Sequence, residues 1–109
     1  MITSGSVSIA VPTTTPTLVY ESPRGMATQI VLNAQALDSS GGVVAANVGL
    51  VIGDSNIFYD TTGANNNRTG VFVSTPYTSL EFSGALYAIP AYGASGASVE
   101  ISFTAFDTK

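Results

Sequence analysis

Acid–base chemistry in this chain of 109 residues would fall to seven carboxylates: Glu21, Asp38, Asp54, Asp60, Glu81, Glu100 and Asp107. Asp54 and Asp60 are close in sequence, and Glu81 and Glu100 lie in strand patterns that can meet across a sheet. Two acids about 5–9.5 Å apart would suit glycoside hydrolysis. Any seven acids in a small domain give some near pairs, so proximity alone does not signal catalysis. Serine nucleophiles need a base, and the chain has no His. It has no Cys, and its one lysine is the terminal Lys109. These absences point away from an enzyme, and no catalytic residue is assigned.

Oxygen ligands come nearest to a metal site at Asp54, Ser55 and Asn56, with Asp60 and the run Asn65, Asn66, Asn67 beyond. The full calcium loop, with its ligands at fixed positions and a closing Glu, is absent. The same residues make a turn through local side-chain hydrogen bonds, which is the reading kept. No metal and no cofactor is expected. Asn67-Arg68-Thr69 fits the N-glycosylation pattern and is read as chance, because the first six residues lack the basic and apolar regions of a signal peptide. The glycines match no phosphate-binding fingerprint.

Binding surfaces have more to work with. Tyrosine stacks on sugar rings and anchors protein interfaces. Tyr20, Tyr59 and Tyr87 sit inside strand patterns and read as structural. Tyr77, beside Pro76, and Tyr92, in a small-residue loop at residues 91–97, are the interface candidates, together with Val7, Ile9 and Val11 near the N-terminus. Only 9% of the residues are charged, against about 25% in an average globular domain. Ser and Thr supply 13 residues each, so much of the surface is hydroxyl-bearing. Charge normally opposes association, and a nearly uncharged domain suits a chain that lives in an assembly. A net charge of −4 leaves no basic patch for nucleic acid. The longest apolar stretch, residues 43–53, is broken by Asn47 and is too short to cross a membrane as a helix.

The elements that would carry these groups are β throughout. Val7, Ile9 and Val11 alternate with small polar residues, the period of a half-buried strand. Pro12 and Pro16 bracket an extended connector. Residues 17–22 read as a strand with Leu18 and Tyr20 on one face, followed by a turn at Ser22-Pro23-Arg24-Gly25. Residues 26–38 form a long strand with Ile30, Leu32, Ala34 and Ala36 inward. A helix is the competing reading there, but the alternation is cleaner than any helical stripe. A loop at Asp38-Ser39-Ser40-Gly41-Gly42 returns residues 43–53 as its partner, with Val48, Leu50 and Ile52 inward. A turn at residues 53–56 leads into residues 57–60. A polar loop follows at 61–70, then short strands at 70–74, 78–82 and 85–89, the last stopped by Pro90. Residues 98–106 close the chain, with Val99, Ile101, Phe103 and Ala105 inward and Glu100, Ser102 and Thr104 wet. Eight or nine short strands separated by turns predict an antiparallel β-sandwich, with a jelly roll as one possible form. Roughly 60–70% of the extended surface of such a chain can be buried, enough for one core. Residues 1–16 read as an N-terminal arm reaching a neighbouring sheet edge, and residues 17–109 as the domain. Deleting the arm would then weaken association more than folding.

Residues 17–106 resemble small β-sandwich proteins encoded among phage virion genes. The resemblance is carried by Leu18-Val19-Tyr20-Glu21-Ser22-Pro23-Arg24-Gly25 and the strand through Ile30 and Leu32. It continues in Ile57-Phe58-Tyr59-Asp60, Leu80, Gly84-Ala85-Leu86-Tyr87-Ala88 and Val99-Glu100-Ile101-Ser102. It implies a structural role in the virion with no active site. The expected function is a capsid decoration (cement) protein bound to the major capsid protein and assembled in the host cytoplasm. A neck, tail or fibre component is the alternative within that class, and a carbohydrate-binding module is the alternative outside it. The habits of decoration proteins suggest a homo-oligomer, with a trimer as first guess.

Overall fold

The computed structural model describes residues 2–44, 46–52, 55–60, 71–73, 78–93 and 96–109, with 46–47, 55–60, 71–73, 78 and 91–93 described by backbone alone. Ten strands make up the described chain: β1 (Ile2–Ala10), β2 (Thr17–Glu21), β3 (Ala27–Leu37), β4 (Val43–Val44), β5 (Ala46–Ile52), β6 (Ser55–Asp60), β7 (Val71–Val73), β8 (Thr78–Phe82), β9 (Ala85–Gly93) and β10 (Ser98–Thr108). They form two five-stranded sheets. The first runs β1-β10-β3, with β4 and β8 both paired to β3, and the second runs β2-β9-β5-β6-β7. Pairing is antiparallel except for β6 and β7, which are parallel. The protein is thus an all-β sandwich, as the period-2 runs predict.

The core lies between the sheets. Ile30, Leu32, Ala34 and Ala36 of β3 and Val99, Ile101 and Ala105 of β10 face Val19, Val48, Leu50, Leu86 and Ala88 of the second sheet. Alternation along a strand sends every second residue to one face, so the expected inner faces of β3 and β10 are the ones observed.

Four features differ from the sequence reading, each for a physical reason. In β2 the buried residue is Val19, while Leu18 is exposed. The register against β9 shifts between Leu18 and Tyr20, and this bulge lets Val19 and Tyr20 both contribute to the core. The partner of β3 after its hairpin is only Val43 and Val44, opposite Leu37 and Ala36; the chain then crosses to the second sheet as β5. The hairpin itself is tied by Asp38, whose Oδ1 accepts from the backbone N–H of Ser40 and of Gly42 at 2.9 and 2.8 Å. Those backbone bonds, that of Gly42 foremost, hold the Asp38 carboxyl below its ordinary range. Pro90 does not stop its strand: β9 continues to Gly93 with Pro90 buried. The register between β5 and β9 shifts between Asn47 and Gly49, opposite Pro90, and a proline, lacking a donor, is tolerated where the ladder is already interrupted.

The fourth difference concerns the N-terminus. The strand assigned above to an arm is an integral part of the first sheet. Nine consecutive residues, Ile2 to Ala10, pair with β10 of the same chain, from Phe106 to Ser98. Ile9 and Val11 are core residues and Val7 packs against them. The connector is fixed as well: Val11 N–H donates to Ala97 O at 3.0 Å and Thr13 N–H to Pro90 O at 3.1 Å. The apolar alternation that makes this segment a strand also gives it a face to bury, and the nearest open ladder is its own β10. Gly5 leaves room for the Phe103 ring in this docking. A Cβ there would lie 2.8 Å from Phe103 Cζ, so Gly5→Val should cost about 1–3 kcal/mol as overpacking, read as a lower urea midpoint.

Candidate functional site

The outward side chains of the first sheet form a largely polar face. In register from β1 through β10 to β3, the rows run Ser4–Thr104–Val31, Ser6–Ser102–Asn33 and Ser8–Glu100–Gln35. Ser4 and Thr104 hydroxyls share a hydrogen bond of 3.3 Å, and Ser8 Oγ donates to Glu100 Oε2. Ile2 and Phe106 sit side by side at one end, 68% and 39% exposed, and Val43, 65% exposed, lies at the other. Among the described residues, the charges on this face are the carboxylates of Glu81 and Glu100. On the opposite sheet, exposed Leu18 pairs directly with exposed Tyr87, and Val51 lies on the other side of Tyr87. This gives a short apolar row facing solvent.

Behind the faces, one end of the sandwich holds a cluster that the sequence reading missed. Asp107 is 3% exposed. Its Oδ1 accepts from Thr28 Oγ1 at 2.6 Å and its Oδ2 from Tyr20 OH at 2.6 Å. Ser22 Oγ lies 2.7 Å from Thr28 Oγ1. The single hydroxyl proton of Thr28 goes to Asp107, so Ser22 must be the donor to Thr28. The Thr28 and Tyr20 hydrogen bonds hold the Asp107 carboxyl below its ordinary range. Asp107 in turn raises the Tyr20 phenol above its usual value, with burial adding to the effect. A carboxylate stabilised in this way is a weak base, and the hydroxyls around it have their protons committed. The cluster therefore reads as a polar bracket joining β2 of the second sheet to β3 and β10 of the first. The signal was present in the sequence: Asp107 continues the inward series Val99, Ile101, Phe103, Ala105 by one more step of two.

Among the described residues, the other candidate groups are not brought together. Glu81 pairs with Gln29 and Glu100 with Gln35, six residues apart along β3, which separates the two acids by roughly 20 Å at strand rise. Asn56 and Asp60 lie within β6, opposite Val51 and Asn47, so Asn56 belongs to a strand rather than to a turn. Asp54, the Asn65–Asn67 run and Tyr77 lie outside the described residues. Tyr92 is in β9 opposite Asn47, not in a loop, and its side chain lies outside the description. Val7, Ile9 and Val11 are used by the chain's own core. Two shallow depressions of about 190 and 200 Å³ mark the first sheet, one beside Asn33 and Thr104 and one beside Gln29, Glu81 and Phe106. Comparison with known protein families, with curated proteins and with solved structures finds no match. Among the described residues, the pair of outer faces remains as the candidate site.

Proposed function

We propose that this chain is a structural protein of a phage particle, a decoration protein that binds the outside of the capsid shell. The observation that carries the reading is the outer face of the first sheet, hydroxyl-rich and, among the described residues, nearly free of charge. Serine and threonine hydroxyls both donate and accept, so such a face can match a partner's backbone and amide groups without desolvating ions. The exposed Ile2, Phe106 and Val43 at its ends and the Leu18–Tyr87 row opposite supply apolar contact. Many weak contacts repeated over a shell sum to stable attachment through avidity. A carbohydrate-binding module would instead need a platform of tyrosines. Among the described side chains Tyr87 is exposed while Tyr20 is committed to Asp107. Quantitative mass spectrometry of purified virions is the test. Hundreds of copies per particle are expected; a handful would assign the chain to neck, tail or fibre, and its absence would remove the virion reading.

A further inference from the structure

A sheet edge exposes a row of unpaired backbone groups, and proteins normally guard it with short strands, charge, proline or a bulge. Most edges of this sandwich are guarded. β2 has five residues, a bulge and Glu21. β4 has two residues, β8 has five with Glu81, and β7 has three. Among the described strands, β1 is the exception. Its nine residues, Ile-Thr-Ser-Gly-Ser-Val-Ser-Ile-Ala, contain no charge and no proline, and its register with β10 is unbroken. In an antiparallel ladder alternate residues turn their N–H and C=O groups to opposite sides. About half the backbone groups of β1 therefore point away from β10, into solvent.

We infer that β1 is a self-association edge: two copies of the chain pair β1 against β1, antiparallel about a two-fold axis, and join their first sheets into one continuous sheet. The strand is suited to its own copy. Its outward residues Ser4, Ser6 and Ser8 are symmetric about Ser6, so a two-fold at Ser6 places Ser6 opposite Ser6 and Ser4 opposite Ser8. The same register sets Gly5 opposite Val7 and Thr3 opposite Ile9 on the inner side, small against large. No charge is brought together, and the hydroxyl faces of the two copies become a single surface. A strand contact of this kind is isologous and closes at two copies, in place of the trimer expected from the habits of decoration proteins. The inference rests on the edge alone and holds whether or not the chain belongs to a virion.

The full chain should sediment as a dimer at high concentration and dissociate on dilution. Ser6 is exposed, so Ser6→Lys leaves the fold intact but sets like charges opposite each other. Its dimer should be about fivefold to tenfold weaker. Ser6→Glu should behave the same, and an equimolar mixture of the two variants should recover dimerisation. In this cysteine-free chain Ser6→Cys gives an independent readout. Directly opposed residues have Cα atoms about 4.5–5.5 Å apart, inside the range a disulfide spans. Mild oxidation should link Ser6→Cys into covalent dimers faster than Ser40→Cys at the exposed hairpin tip. A wild-type chain that stays monomeric at all concentrations overturns the inference. So does a Ser6→Lys variant that dimerises like wild type, or a Ser6→Cys variant that links no faster than Ser40→Cys.

Discussion

A chain that begins at Val11 is expected not to fold. Removing residues 1–10 takes away Ile9, 5% exposed in the core, and the half-buried Val7. It also takes the nine-residue ladder that covers β10 and uncovers one side of Val99 and Ile101. Truncating a single buried Ile to Ala costs about 2–5 kcal/mol, while a domain of this size has only about 5–15 kcal/mol in total. Losing the whole strand is therefore comparable to the entire stability. Far-ultraviolet circular dichroism should show a disordered chain, and no cooperative urea transition should remain. Ile9→Ala alone should fold with its stability lowered by about 2–5 kcal/mol, whereas Ser6→Ala should stay within about 0.5 kcal/mol of wild type because its side chain faces solvent. A truncated chain with native circular dichroism would restore the reading of this segment as a detachable arm.

The second large effect is expected at the polar bracket. Thr28 is 1% exposed, and its hydroxyl stands between Ser22 and Asp107. Thr28→Val keeps the shape and removes both hydrogen bonds, one of them to a charged group, at a cost of about 1.5–3 kcal/mol. The bracket also sets a pH window. Asp107 is depressed in the folded state, so its contribution is complete above the unfolded carboxylate value, about 3.9, and is lost as pH falls through the lower folded value. Asp38 acts in the same direction. Tyr20 is raised, so its contribution is present below the ordinary phenol value, about 10, and is lost as pH rises through the higher folded value. Urea titrations across pH should show a plateau falling off at both ends. Asp107→Asn should lower the plateau and flatten both its sides, because Asp107 is the main cause of the Tyr20 shift, and Tyr20→Phe should flatten its alkaline side. Unchanged profiles would show that the bracket contributes nothing to stability.

Much of this was legible in the residues. The inward series of β3 and β10 could be read directly, because a strand's alternation is a local property and both strands are long. The turn after β2, closed one residue later than read by Met26 N–H on Pro23 O with Gly25 at positive φ, and the Asp38 hairpin were largely legible for the same reason. Their chemistry lies within four or five residues, where proline, glycine and short polar side chains bias the backbone by themselves. The face of β2 was misread because a bulge depends on the partner strand. Pro90 was misread because its tolerance depends on a register shift in β5, more than forty residues away. Asp107 was passed over because an isolated carboxylate near a chain end looks like a solvated residue. Only Thr28 and Tyr20, brought to it from two other strands, make it a buried acceptor.

By itself the sequence determined an all-β sandwich, the two inward series that form most of its core, and a surface with few charges. These follow from side-chain type and period, which do not need a partner to be read. Only the tertiary structure decided that the N-terminal strand closes the chain's own first sheet, that Val7, Ile9 and Val11 are spent in the core, and that Glu81 and Glu100 are far apart. It also decided that, among the described strands, β1 is a long edge with no strand on its outer side. Which ladder a strand joins is set by competition among all the strands for the same backbone groups and the same buried volume, and that competition is resolved only when the whole chain is packed.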